Sequence, residues 1–124
     1  MLDVAGLKKD FPIFAREIRD GQRLIYLDSG ATSQKPNSVI EAESDFYRHS
    51  NAAVHRGAHQ LAEEATEAYE NARAIVAEFI CGKSEQIVFT KSATESINLV
   101  AYALTSKLKS GDRIVVSEME HHAN

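Results

Sequence analysis

Three short apolar runs, set apart by longer stretches of helical periodicity, constrain this chain more than any other feature. Leu24-Ile25-Tyr26-Leu27, Gln86-Ile87-Val88-Phe89-Thr90 and the run from Arg113 to Val116 each read as a short buried strand. With the intervening periodic segments, the order is strand, helix, helix, strand, helix, strand. That order predicts an α/β fold with at least one right-handed crossover. Strands this apolar need cover on both faces, and only about three substantial helices are available to give it. The sheet reads as begun and unfinished.

The helices follow from spacing and punctuation. Leu2, Val4, Leu7 and Phe11 suit a short helix stopped before Pro12, and Asp20-Gly21 marks a turn. Pro36 opens a helix to about Tyr47, with Val39, Ala42 and Phe46 on its inner face and Ile40 and Tyr47 beside them. The clearest helix runs from Gln60 to Phe79. Leu61, Ala65, Ala68, Ala72, Ile75, Val76 and Phe79 form its apolar stripe, and Gly82 is placed to stop it with a left-handed residue. A further helix spans about Ala93 to Lys107, carrying Ile97, Val100, Ala101 and Leu104, and Ser110-Gly111-Asp112 turns the chain into the third run.

Composition excludes several classes. The 124 residues, 44% hydrophobic and 26% charged, are globular in character and amount to at most one ordinary domain. Fourteen Lys and Arg against eighteen Asp and Glu argue against non-specific nucleic-acid binding. No apolar run approaches the roughly 20 residues that cross a bilayer, and the N-terminus lacks a signal-peptide core. The single cysteine, Cys81, makes no internal disulfide and follows Phe79-Ile80 at a helix end, where a semi-buried structural thiol is expected. These features describe a slightly acidic, cytoplasmic chain.

Three segments carry side chains suited to chemistry. At Phe89-Thr90-Lys91-Ser92-Ala93-Thr94-Glu95 a strand hands over to a helix, whose first amides and dipole favour an anion such as phosphate, with Ser92 and Thr94 adding hydroxyls. The spacing Ser92-x-x-Glu95 equally describes a capping box that needs no ligand. Glu118-Met119-Glu120-His121-His122 follows the third run, at the strand ends where ligands of open α/β sheets bind. A histidine there stacks on an aromatic ligand or moves protons near neutral pH. A metal held by these acids and histidines is the alternative, although no recognised zinc spacing is present. In Val54-His55-Arg56-Gly57-Ala58-His59, the loop cations His55 and Arg56 suit a carboxylate, and a solvated loop explains them equally well. The dinucleotide, P-loop, zincin and nucleophile-elbow patterns are all absent from the sequence.

Taken in order, these segments are more specific than any one alone. Tyr26-Leu27-Asp28-Ser29-Gly30-Ala31-Thr32-Ser33-Gln34-Lys35-Pro36 resembles the opening loop of SufS-type cysteine desulfurases, of the class V aminotransferase-like group. Phe46-Tyr47-Arg48-His49, Ala52-Ala53-Val54-His55-Arg56-Gly57, Thr94-Glu95-Ser96-Ile97-Asn98-Leu99-Val100-Ala101 and Glu118-Met119-Glu120-His121-His122-Ala123-Asn124 continue the resemblance. It extends over the chain from about Phe11 onward.

The resemblance implies the N-terminal portion of the aspartate-aminotransferase-like fold (pyridoxal-phosphate fold type I), an incomplete large domain with a mostly parallel sheet begun. Residues 1–22 would be an N-terminal helical segment and 23–124 the start of the cofactor-binding large domain. The implied activity converts L-cysteine to alanine and an enzyme-bound persulfide. A homodimer would pass that sulfur to an acceptor protein of iron–sulfur cluster assembly. Selenocysteine lyase or another class V enzyme is the nearby alternative, and a stand-alone anion- or metal-binding module the distant one. By the same resemblance Ala93 and Thr94 hold the phosphate of pyridoxal 5'-phosphate. His121 stacks on its ring near the proton transfers, with His122 as a supporting or gating neighbour. Gly30, Ala31, His55 and Arg56 edge the substrate site. Gly30 and the pair Ser92-Ala93 depart from the residues common in relatives. The Schiff-base lysine, the persulfide cysteine, the aspartate pairing the pyridine nitrogen and the carboxylate-binding arginine are expected beyond Asn124. The chain by itself is therefore expected to be inactive.

Overall fold

The computed structural model describes residues 2–122. The chain forms two compact units, the first reaching to Ala72 and the second beginning at Arg73.

In the first unit, helix α1 spans Val4–Lys9, and the Asp3 carboxylate caps it by accepting from Gly6 N at 2.9 Å. A 3-10 turn, Pro12–Ala15, follows it. The expected turn at Asp20-Gly21 is present, both residues taking positive φ, and an isolated antiparallel bridge pairs Glu17 with Arg23. Helix α2 spans Asn37–Asp45, with Pro36 as its N-cap. The predicted continuation to Tyr47 widens into a π-helical turn over Phe46–Ser50, whose Arg48 reaches Asp45 at 3.6 Å. A loop over 51–59 leads into helix α3, Gln60–Phe79, whose bounds are those the periodicity predicts.

The buried face of α3 shares only Ala65 with the predicted stripe. Ala62, Ala65 and Ala77 are buried and Thr66, Tyr69 and Arg73 partly so, whereas Ile75 is 67% and Phe79 86% exposed. The packed face thus lies roughly a quarter of a turn from the apolar stripe, at about 3.6 residues per turn. Small residues explain the choice, because they let other backbone come close. A β-carbon at Gly57 would collide with that of Ala62, so the loop before α3 seats on the helix only because position 57 is glycine.

The second unit holds the end of α3, a 3-10 turn at Ser84–Gln86 and helix α4, Ala93–Thr105. Helix α3 stops in a Schellman arrangement, with Cys81 N donating to Glu78 O (3.0 Å) and Gly82 N to Ala77 O (2.8 Å). Cys81, not Gly82, takes the left-handed conformation (φ 56), and its thiol is exposed, not semi-buried. The register of the two closing bonds decides this, because the residue next after the helix cap must be the left-handed one. Arg73 donates to Ile87 O and lies over the Phe89 ring at 5.5 Å, tying Ile87–Phe89 to α3. The turn at Ser110-Gly111-Asp112 is present, with Gly111 at φ 100 and Lys109 N donating to Asp112 Oδ2 at 2.7 Å.

Among the described residues the three predicted strands form no ladder, and Gln86 belongs to the 3-10 turn. A strand is held by main-chain bonds to a neighbour, and no described segment supplies them here. Leu27, Ile114, Val115 and Val116 are accordingly exposed, and no residue of α4 is buried.

Candidate functional site

The start of α4 is the most fully organised of the expected sites. Ser92 is its N-cap, in extended backbone, and its hydroxyl accepts from Glu95 N at 3.2 Å. Glu95 reaches back one residue further than a standard capping box, its Oε2 accepting from Lys91 N at 2.6 Å. The hydroxyls of Thr90 and Ser96 lie 2.6 Å apart, so one donates to the other, and both lie within reach of Ser92 O, at 3.1 and 3.2 Å, which takes the remaining proton. Capping therefore uses the third amide of the helix and leaves the first two, Ala93 N and Thr94 N, which have no helical carbonyl to bond. The capping and anion-site readings are compatible: one set of groups stiffens the turn and another faces outward. Ala93 brings only its amide, while Thr94 brings an amide and a hydroxyl.

The segment after the third run forms a turn at Glu118-Met119, and Ser117 Oγ donates to Glu120 Oε1 at 2.9 Å. The rings of His121 and His122 meet in a tilted contact, with centroids 4.0 Å apart and planes at 35°. Ala123 and Asn124, the end of that motif, lie outside the described residues. Among the described residues no three His, Cys, Asp or Glu side chains gather as a metal site would require.

In the first unit, the loop holding Gly30 and Ala31 is organised around one carbonyl. Asp28 O accepts from Ala31 N and Thr32 N, each at 3.1 Å, and from the Tyr26 hydroxyl at 3.1 Å. Tyr26 also reaches Thr32 O, so one phenol spans the loop. A β-carbon at Gly30 would meet open space, so the position has no steric need for glycine.

The loop carrying His55 and Arg56 is anchored to α3. His55 stands in left-handed backbone (φ 62), its N–H donating to Thr66 Oγ1 at 2.9 Å and its Nε2 lying 2.9 Å from Glu70 Oε1. Its ring meets Tyr69 edge-on, at 6.1 Å and 88°. Sequence reasoning named His55 and Arg56 and missed Thr66, Tyr69 and Glu70. Their spacing of three and four along α3, next to a buried alanine pair, was the available signal. It also missed an open groove of about 810 Å³ lined by Lys8, Phe11, Phe14, Arg23, Leu24 and Ile25 among others.

With this geometry in hand, comparison with known proteins identifies the chain. The aminotransferase class-V family model matches residues 25–124, and the chain belongs to that family. Among curated relatives, "Probable cysteine desulfurase 2" of Mycobacterium leprae (strain TN) is 53% identical over 129 residues, covering 99% of this chain and 31% of the relative. A cysteine desulfurase of Salmonella newport (strain SL254) is 54% identical over 123 residues, covering 98% and 30%. The apo structure of a cysteine desulfurase from Thermococcus onnurineus NA1 superposes with a TM-score of 0.87 at 44% identity, covering 99% of this chain and 29% of that one. The chain thus spans about 30% of the length of the relatives it matches.

Proposed function

We propose that this chain is the N-terminal part of a pyridoxal-phosphate-dependent cysteine desulfurase. The observation that carries the reading is the identity of more than half, over nearly the whole chain, with proteins named cysteine desulfurase. The parent would break the Cβ–S bond of L-cysteine, moving sulfur to an enzyme thiol as a persulfide and leaving alanine. Pyridoxal phosphate supplies the electron sink for that chemistry when bound.

The residues present fit the cofactor's phosphate. Ser92 and Glu95 stiffen the entry to α4 without using Ala93 N or Thr94 N, and the positive end of the helix dipole lies at the same place. Ala93 and Thr94 would hold the phosphate through these amides and the Thr94 hydroxyl. His121 would stack on the ring and hold or move a proton, with His122 supporting it. Gly30 and Ala31, in the loop spanned by Tyr26, and His55 with Arg56 would edge the substrate site. Arg56 there would favour the substrate carboxylate.

The rest of the reading follows the resemblance. Residues 1–22 form an N-terminal helical segment and 23–124 begin the large domain, whose remaining strands would pair with the three unladdered runs in a mostly parallel sheet. The parent would be a cytoplasmic homodimer of the SufS type, delivering sulfur to an acceptor protein for iron–sulfur cluster assembly. No described helix is long and apolar enough to cross a membrane.

The test uses the amide spectrum of the chain titrated with pyridoxal phosphate. Ala93 and Thr94 are expected to shift selectively, and inorganic phosphate to compete. The chain mixed with cofactor and L-cysteine should release no sulfide above a cofactor-only control, whereas the full reading frame containing this segment should release sulfide and alanine. A full-length product that handles cofactor but not cysteine would sink the desulfurase assignment.

A further inference from the structure

The His55 loop is held by a set of contacts whose polarity can be worked out. Thr66 Oγ1 donates its only proton to Ala62 O at 2.6 Å, so towards His55 it can act only as an acceptor, and the His55 amide donates to it. Glu70 Oε1, 2.9 Å from Nε2, accepts as a carboxylate, which requires a proton on Nε2. In the neutral ring Nδ1 is then the acceptor. Thr66, Tyr69 and Glu70 occupy positions i, i+3 and i+4 of α3, so one helix face addresses the backbone, ring edge and ring nitrogen of a single residue. That residue sits in left-handed backbone, which a non-glycine residue keeps only where its surroundings hold it there.

We propose that Thr66 and Glu70 are positioning residues: together they hold the His55-Arg56 segment in its left-handed turn and keep the neutral His55 ring in the Nε2–H form. Glu70 acts through the imidazole and Thr66 through the main chain, and neither needs to touch a ligand. That the segment they hold edges an amino-acid substrate site rests on the desulfurase reading. The hold itself does not.

Hydrogen exchange and imidazole NMR on the 124-residue chain test this. Losing a hydrogen bond of ordinary net strength should speed exchange of the His55 amide about fivefold in Thr66→Val, and Thr66→Ser should restore it. Glu70→Ala should move the His55 ring nitrogen shifts away from the Nε2–H pattern and speed amide exchange at His55 and Arg56. Glu70→Gln, which keeps an acceptor oxygen, should leave both as in the wild type. The amides of the buried Ala62 and Ala65 in α3 serve as the control for folding. Unchanged His55 exchange in Thr66→Val would overturn the proposal. So would a Glu70→Gln chain as loose as Glu70→Ala, or wild-type His55 ring nitrogen shifts that show the Nδ1–H form. If Glu70→Ala unfolds the chain, the Thr66→Val, Thr66→Ser and Glu70→Gln comparisons decide alone. A protected His55 in a chain whose Ala93 and Thr94 amides ignore pyridoxal phosphate would sink the cofactor reading and leave this one standing.

Discussion

The His55 loop and helix α4 make an instructive pair. The loop has little regular structure, yet it is tied to α3 through a main-chain amide, a ring nitrogen, a ring edge and the seat of Gly57 on Ala62. Helix α4 is regular and well capped, yet none of its residues is buried, and Val100 and Tyr102 are left exposed. Regular secondary structure and tertiary anchoring are therefore separate achievements in this chain. Caps and turns close locally, between residues a few positions apart, and form wherever the sequence supplies donor and acceptor. Burial of an apolar face needs a partner surface, and α4 has none among the described residues.

Substitutions that strike one kind of order and spare the other sharpen this contrast. The largest loss is expected from Gly57→Ala, because the added carbon meets Ala62 on the helix. Overpacking of this kind costs about 1–3 kcal/mol, seen as a lower urea midpoint. Ser92→Ala removes the acceptor for Glu95 N and should cost about 1 kcal/mol, read as lost helicity on heating. If Ser92→Ala proved costlier than Gly57→Ala, the local caps would outweigh tertiary seating and the comparison would reverse. Cys81→Gly should stabilise by about 1 kcal/mol, since glycine occupies the left-handed position after α3 without its steric penalty. Gly30→Ala and Val115→Ser should each change the midpoint by less than about 0.5 kcal/mol, one adding a methyl group in open space and the other altering an exposed side chain. A large loss at Val115 would mean that the third run is packed in solution.

Much of the local order was legible in the residues. The bounds of α3, the turn at Asp20-Gly21, the Ser92 cap and the turn around Gly111 all follow from side chains acting on backbone within a few positions. The candidate phosphate site was legible for the same reason, since a helix beginning leaves its first amides without carbonyls whatever surrounds it. The capping bonds use Glu95 N and Lys91 N, and an anion would use Ala93 N and Thr94 N. Less legible were the choice of Cys81 over Gly82 as the left-handed residue and the widening of α2 into a π turn, each settled by which carbonyl the next amide reaches.

What the sequence by itself determined is which segments coil, where they stop, and that the ordered series of motifs belongs to the class V aminotransferase family. Periodicity, capping and turn chemistry are short-range, so the chain carries them wherever it goes. Only the tertiary structure decided which face of α3 is used. Of the apolar stripe Leu61, Ala65, Ala68, Ala72, Ile75, Val76 and Phe79, Ala65 is buried, while the other contacts fall on Ala62, Thr66, Tyr69, Glu70 and Arg73. The physical reason is proximity. A helix face packs against what the fold brings to it, and in the first unit that is the loop bearing Gly57, not a partner for the face its hydrophobicity would prefer.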